Sequence, residues 1–197
     1  MLLLLGVGAA LVGVRSPGES GVIPSDMATE APRGGSERDR ELAAVLATID
    51  GAELRMIAFQ DRAFLALRSD PEGFGDDVSG EAADAAQDLI ELREDLILHA
   101  RDSGGELEGI QVIRDTYRVH LEAWIAYAEA VRDDPVLIRP DNDQAAPYWD
   151  DIGSTAEEFV QAVETALPGD APDELKERAE FILDRGFRGG EDPGELV

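Results

Sequence analysis

Apolar residues recur every three to four positions from residue 37 onwards, which is the spacing of one face of an α-helix. The first such stripe predicts a helix over residues 37–68. Its members are Leu42, Val45, Ile49, Ala52, Met56, Phe59 and Ala63. The pattern ends at Ser69-Asp70-Pro71, because proline and the glycines after it interrupt a helix.

Two further stripes predict a second and a third long helix. The second stripe consists of Ala82, Ala85, Leu89, Leu92, Leu96 and His99. The third consists of Ile110, Ile113, Tyr117, His120, Trp124, Tyr127 and Val131. Only a short glycine-containing segment separates them, so these two helices are predicted to pack as an antiparallel hairpin.

Two shorter stripes follow a longer connection. The fourth consists of Ile152, Ala156, Phe159, Val160, Val163 and Leu167, with Ser154 or Thr155 as the predicted cap. The fifth consists of Leu175, Ala179, Ile182 and Leu183. No strand-like alternation persists, so the predicted fold over residues 37–185 is all-α. It is an antiparallel bundle of three long helices plus a fourth and a short fifth helix, followed by a frayed acidic tail at 186–197.

The first 14 residues are apolar and uncharged. A spanning helix needs about 20 such residues, whereas 10–14 is typical of a signal-peptide core. We therefore expect residues 1–14 to be a signal peptide or short membrane anchor, and the protein to be membrane-anchored or secreted. The alternative is a cytoplasmic protein whose apolar N-terminus packs on itself. Residues 15–36 are rich in Pro, Gly, Ser and acids, which predicts a flexible linker.

Charge and cysteine content exclude several classes of function. The chain has 43 Asp and Glu against 17 Lys and Arg, a formal net charge of −26. Nucleic acid is therefore not an expected partner, because its binding needs cationic side chains to neutralise phosphates. The absence of cysteine excludes disulfides, thiolate metal sites and cysteine nucleophiles. Lys176 is the only lysine, and this bias fits either a salt-adapted surface or a high-GC genome.

Aromatic residues mark two candidate contact sites. Tyr117 and Trp124 lie on one face of the third predicted helix, where they either contact a ligand or fill the core. Tyr148 and Trp149 lie in the predicted connection 134–151, which is longer than most connections in helical bundles. That connection is either a binding loop or a structural crossover.

Four aspartates in the same connection form the candidate metal site. Carboxylate oxygens are the ligands that Ca²⁺ prefers, so Ca²⁺ is the expected ion. The four residues are Asp141, Asp143, Asp150 and Asp151. The two histidines, His99 and His120, are predicted to lie roughly 16 Å apart along the hairpin, too far to share one metal.

No catalytic motif and no cofactor-binding motif is found in the sequence. We therefore expect an exported or membrane-tethered helical bundle with a non-enzymatic interaction or structural role, whose partners are another protein and the membrane. The alternative is an extracytoplasmic bundle that binds a small ligand or a cation.

Overall fold

The computed structural model describes residues 36–100 and 108–187, apart from the side chains of residues 98–100. Five α-helices follow one another along this part of the chain. They are α1 (Glu37–Ser69), α2 (Gly75–Ala100), α3 (Glu108–Asp133), α4 (Ala146–Ala166) and α5 (Asp173–Gly186). Two 3₁₀ turns, Pro135–Ile138 and Asp143–Ala145, lie between α3 and α4. The described residues contain no strand, and the predicted all-α bundle is confirmed.

Contacts between neighbouring helices define the topology. Helix α1 packs on α2, α2 on α3, and α3 on α4. Helices α1 and α2 are antiparallel, since Arg55 pairs with Asp88 whereas Arg62 pairs with Glu81. The first four helices therefore follow one another in space in the order of the sequence.

The remaining contacts fix the directions of α3, α4 and α5. Helices α3 and α4 run antiparallel, because the start of α3 lies against the end of α4 and Trp124 contacts Trp149 near the opposite end. Helix α5 packs on α1 and runs parallel to it, since Arg178 pairs with Asp50 and Gly186 lies against Glu53 one turn further on.

The core is built from the predicted apolar stripes. Every residue of the first and third stripes is buried, including the polar His120. Helix α1 begins where Ser36 and Asp39 form a capping box, in which each side chain accepts a hydrogen bond from the other residue's backbone N–H, at 3.1 and 3.0 Å. This arrangement satisfies backbone donors that a helix start otherwise leaves unpaired.

The predicted start of the fourth helix is wrong. Helix α4 begins at Ala146, so Ser154 and Thr155 lie inside it and do not cap it. The connection after α3 covers residues 134–145 rather than 134–151. The earlier start has a physical reason, because Pro147 suits the first turn of a helix and Trp149 packs on the core from there.

Several predictions concern residues that the structure does not describe. The signal peptide or anchor at 1–14, nearly all of the linker at 15–36, and the tail beyond residue 187 lie outside the described residues. Gly186 is the last residue of α5 and Phe187 packs against the core, so these two residues belong to the bundle rather than to the tail. Among the helices of the two described ranges, none is long and apolar enough to cross a membrane.

A single glycine sets the closest approach between α3 and α4. A Cβ atom on Gly109 would lie 2.3 Å from the carbonyl oxygen of Ala166, whereas one on Gly51 would meet nothing within 4 Å. We expect Gly109→Ala to lower the free energy of unfolding by about 1–3 kcal/mol, because a backbone atom cannot move aside as a side chain can.

The matched control is Gly51→Ala, which we expect to raise the free energy of unfolding by up to about 1 kcal/mol through helix propensity alone. Urea unfolding followed by circular dichroism measures both variants. Equal effects of the two substitutions would contradict the close approach of α3 to α4.

Candidate functional site

A carboxyl group is buried where α1, α3 and α5 meet. Glu53 of α1 is 5% exposed, and its Oε1 lies 2.9 Å from the hydroxyl of Tyr117. Its other oxygen faces Gly186, where an added Cβ would lie only 2.7 Å away. Burial raises the pKa of Glu53 from 4.5 to about 7, although the hydrogen bond from Tyr117 and the charge of Arg185 act in the opposite direction. Glu53 is therefore protonated in slightly acidic solution.

His120 lies next to this carboxyl, and both of its ring nitrogens are hydrogen-bonded. Its Nε2 accepts from the indole N–H of Trp124 at 3.1 Å. Its Nδ1 lies 3.0 Å from the hydroxyl oxygen of Thr155, and that hydroxyl donates to the carbonyl of Asp151 at 2.9 Å. The proton of the imidazole therefore belongs on Nδ1, which donates to Thr155. Burial lowers the pKa of His120 from 6.5 to about 4.

Glu53 and His120 do not form an ion pair. Oε1 of Glu53 is 4.0 Å from Nε2 of His120, but that nitrogen already accepts the indole proton of Trp124. A proton on Nε2 would face the indole N–H as a second donor. Between about pH 4 and about pH 7, both groups are therefore neutral.

Tyr117 accommodates either protonation state of Glu53. Its hydroxyl oxygen lies 2.9 Å from Oε1 of Glu53 and 3.3 Å from the carbonyl oxygen of Ile49. With an ionised Glu53, the hydroxyl donates to the carboxylate; with a protonated Glu53, it accepts from the acid and donates to Ile49. Burial and the neighbouring Glu53 raise the pKa of Tyr117 well above its usual value, so Tyr117 keeps its proton.

Of the four aromatic residues predicted as contact sites, two are buried and two are partly buried. Tyr117 is fully buried and Trp124 is 8% exposed. Tyr148 and Trp149 are partly buried on the first turn of α4, where both rings pack on Tyr127 of α3, at centroid distances of 6.0 and 4.7 Å. The structure thus brings Trp124, Tyr148 and Trp149 together as one packed cluster and places Tyr117 against the Glu53 carboxyl.

The four candidate metal ligands are exposed. Asp141 and Asp143 lie in the connection before α4, and Asp150 and Asp151 lie in α4. The described part of the chain contains no group of three or more His, Asp or Glu placed to hold a metal ion. The structure therefore does not bring these aspartates together as a coordination sphere.

A shallow groove lies between the second half of α2 and the first half of α3. Its volume is about 290 Å³, and it is lined by Leu96, Ile97, Arg114, Asp115 and Arg118. The guanidinium of Arg114 is buried and pairs with Glu41 of α1. The more exposed Arg118 pairs with a glutamate one turn further along α3, at 2.9 Å. The groove combines apolar walls with two arginines, each paired with a glutamate, and the carboxyl group of Asp115.

Glu53 was not predicted as a site residue, although its spacing in the sequence places it on the buried face of α1. Ile49, Glu53 and Met56 follow the i, i+4, i+7 spacing of one helix face, and both neighbours are buried. A glutamate at such a position is unusual in a core. The signal was hidden because acidic residues are abundant along the whole chain.

The chain matches no protein-family model, no curated protein and no solved structure. Its function is therefore inferred from the contacts, burial and charges described above.

Proposed function

We propose that this chain is an exported or membrane-tethered helical-bundle protein with a non-enzymatic interaction or structural role. One observation carries the proposal: the polar and aromatic side chains that could bind a ligand form hydrogen bonds to one another inside the bundle. Trp124 hydrogen-bonds to His120, and His120 hydrogen-bonds to Thr155. The hydroxyl of Tyr117 hydrogen-bonds to the carboxyl of Glu53. Because these groups satisfy one another in the core, they support the fold, and the surface is left to make contacts.

The charge of that surface indicates the kind of partner. With a formal net charge of −26, the protein repels acidic surfaces and attracts basic ones. A basic neighbouring protein therefore fits better than a nucleic acid or an anionic lipid surface. The apolar residues 1–14 and the linker after them support a tether that leaves the bundle free to reach such a partner.

The groove between α2 and α3 favours a second candidate function, the binding of a small amphiphilic anion. Leu96 and Ile97 offer an apolar wall, while Arg118 offers a partly exposed guanidinium. Its volume lies just below the usual range for ligand sites. This is a different position from the aromatic and aspartate sites that the sequence predicted.

Export is tested by fusing residues 1–36 to a phosphatase that becomes active only where its disulfides form. We expect activity from this fusion and none from a control fusion that carries residues 15–36 alone. Retention of the first fusion in the cytosol would contradict the export part of the proposal.

Thermal unfolding with octanoate separates the two candidate functions. An interaction or structural role predicts no rise in the unfolding midpoint. A rise with octanoate that octanol does not reproduce, and that Arg118→Gln abolishes, would favour the groove as a ligand site instead.

A further inference from the structure

The last turn of α5 covers the buried carboxyl of Glu53. The last turn approaches the carboxyl so closely that a Cβ atom on Gly186 would lie 2.7 Å from Oε2 of Glu53. The next residue, Phe187, places its ring 5.3 Å from that of His120 and 4.9 Å from that of Phe159, measured between centroids. The end of α5 therefore closes the cluster from the α1 side and contacts α3 and α4 through one side chain.

The groups around Glu53 compensate an ionised carboxylate only in part, because burial outweighs the hydrogen bond from Tyr117 and the charge of Arg185. On its own helix, the negative charge of Asp50 also raises the pKa of Glu53. Helix α3 contributes Tyr117 and the neutral His120, and the facing residues of α4 do not titrate. Helix α5 contributes Arg178 and Arg185, and both pair with Asp50.

An ionised Glu53 would therefore be a buried charge without its own counter-ion. Within the described residues, no Lys or Arg nitrogen lies within 4.0 Å of its carboxylate. A buried charge of this kind is stabilised most readily by contact with water. The short C-terminal turn of α5 lies close enough to the carboxyl that its displacement would admit water, since an added Cβ on Gly186 would lie 2.7 Å from Oε2.

We propose that the last turn of α5 is a pH-dependent latch, which closes over neutral Glu53 and is released when Glu53 ionises. Release exposes Phe187 and gives water access to Glu53, whereas His120 keeps its hydrogen bonds to Trp124 of α3 and Thr155 of α4. The device goes beyond the proposed function, and its geometry is independent of whether the chain is exported.

The direction of the pH dependence follows from the protonation of Glu53 in the two states. The pKa of Glu53 is about 7 with the latch closed, against 4.5 for a solvated glutamate. The closed state thus binds the proton more tightly, and raising the pH favours release. The equilibrium constant for opening, which is the ratio of released to closed latch, should rise about tenfold per pH unit between about pH 5 and pH 6.5. It should become constant above about pH 7.

His120 would act in the opposite direction. Because its pKa is lowered to about 4 in the closed cluster, acid rather than base would favour its exposure, over the range below 6.5. If the last turn of α5 opens more as the pH rises, the ionisation of Glu53 controls the opening. If it opens more as the pH falls, the protonation of His120 controls it.

Hydrogen–deuterium exchange of the full chain, read by mass spectrometry at constant ionic strength, tests the latch. After correction for the intrinsic pH dependence of exchange, protection of residues 179–187 should fall by tens of fold between about pH 5 and about pH 8. Protection of α3 and α4 should change much less. Equal losses of protection in all helices would indicate general unfolding and overturn the proposal.

Two substitutions on α1 complete the test. Glu53→Gln keeps an acceptor for Tyr117 and removes the ionisation, so it should abolish the pH dependence of α5 protection. Asp61→Asn removes one negative charge at an exposed position of the same helix and should retain that dependence. A pH-dependent α5 in folded Glu53→Gln would overturn the latch. If circular dichroism shows that this variant does not fold, the comparison of α5 with α3 and α4 in the wild-type chain decides.

Discussion

Replacing Glu41 by alanine is expected to lower the free energy of unfolding by about 3–5 kcal/mol. Glu41 of α1 pairs with Arg114 of α3, whose side chain is 2% exposed. Without Glu41 the guanidinium would be buried with no other ion pair among the described residues, which is more costly than the loss of the pair's own attraction. Chemical unfolding monitored by circular dichroism measures this change.

The matched control for this pair is Glu122→Ala. Glu122 pairs with Arg118 of the same helix, but the two side chains are 45% and 36% exposed. Exposed pairs four residues apart contribute about 0.3–0.5 kcal/mol, so this variant should be nearly as stable as the parent. The double variant Glu41→Ala/Arg114→Met should recover much of the loss, because no charge is then left buried. A loss below about 1 kcal/mol for Glu41→Ala would show that water reaches Arg114.

Truncation of Trp124 to alanine should have a comparable effect, a loss of about 3–5 kcal/mol. The ring contacts Tyr127, Trp149 and His120, and its N–H occupies Nε2 of His120. The variant therefore loses apolar contact and also leaves an unpaired nitrogen in the core. The free energy of unfolding from urea titration is the measurement.

Two variants separate the contributions to the Trp124 effect. Trp124→Phe keeps most of the ring contacts but removes the N–H, so it should cost less than the alanine variant. Trp149→Ala should also cost less, because Trp149 is only partly buried. If Trp149→Ala proved more costly than Trp124→Ala, the cluster would be centred on α4 rather than on α3.

The helices could be predicted because their apolar stripes run for many turns. Residues from Leu42 to Ala63 keep one face buried over most of α1, and the helix continues through Asp50-Gly51, the one turn-like pair within them. The start of α4 could not be predicted from apolar spacing in the same way. Pro147 and two aspartates resemble a loop in the sequence, whereas Tyr148 and Trp149 join the helix because their rings pack on α3.

The buried cluster depended on tertiary contacts that no local pattern specifies. The third stripe marked His120 and Tyr117 as interior residues, but not their partners. Glu53 and Thr155 come from other helices and lie 64 and 35 residues away from Tyr117 and His120 respectively. The packing of α1 and α4 on α3 brings these groups within hydrogen-bond distance, and the end of α5 packs against Glu53 from a further side.

The ionisation of Glu53 is the property on which the closed cluster and the latch both depend. It can be followed through the side-chain carboxyl carbon by ¹³C NMR during a pH titration, with Glu53→Gln identifying the signal by its absence. The structure predicts a midpoint at about pH 7, so that Glu53 is still largely protonated at about pH 6. A midpoint near the ordinary value of 4.5 would show a solvated carboxylate and contradict the burial of Glu53 beneath α5.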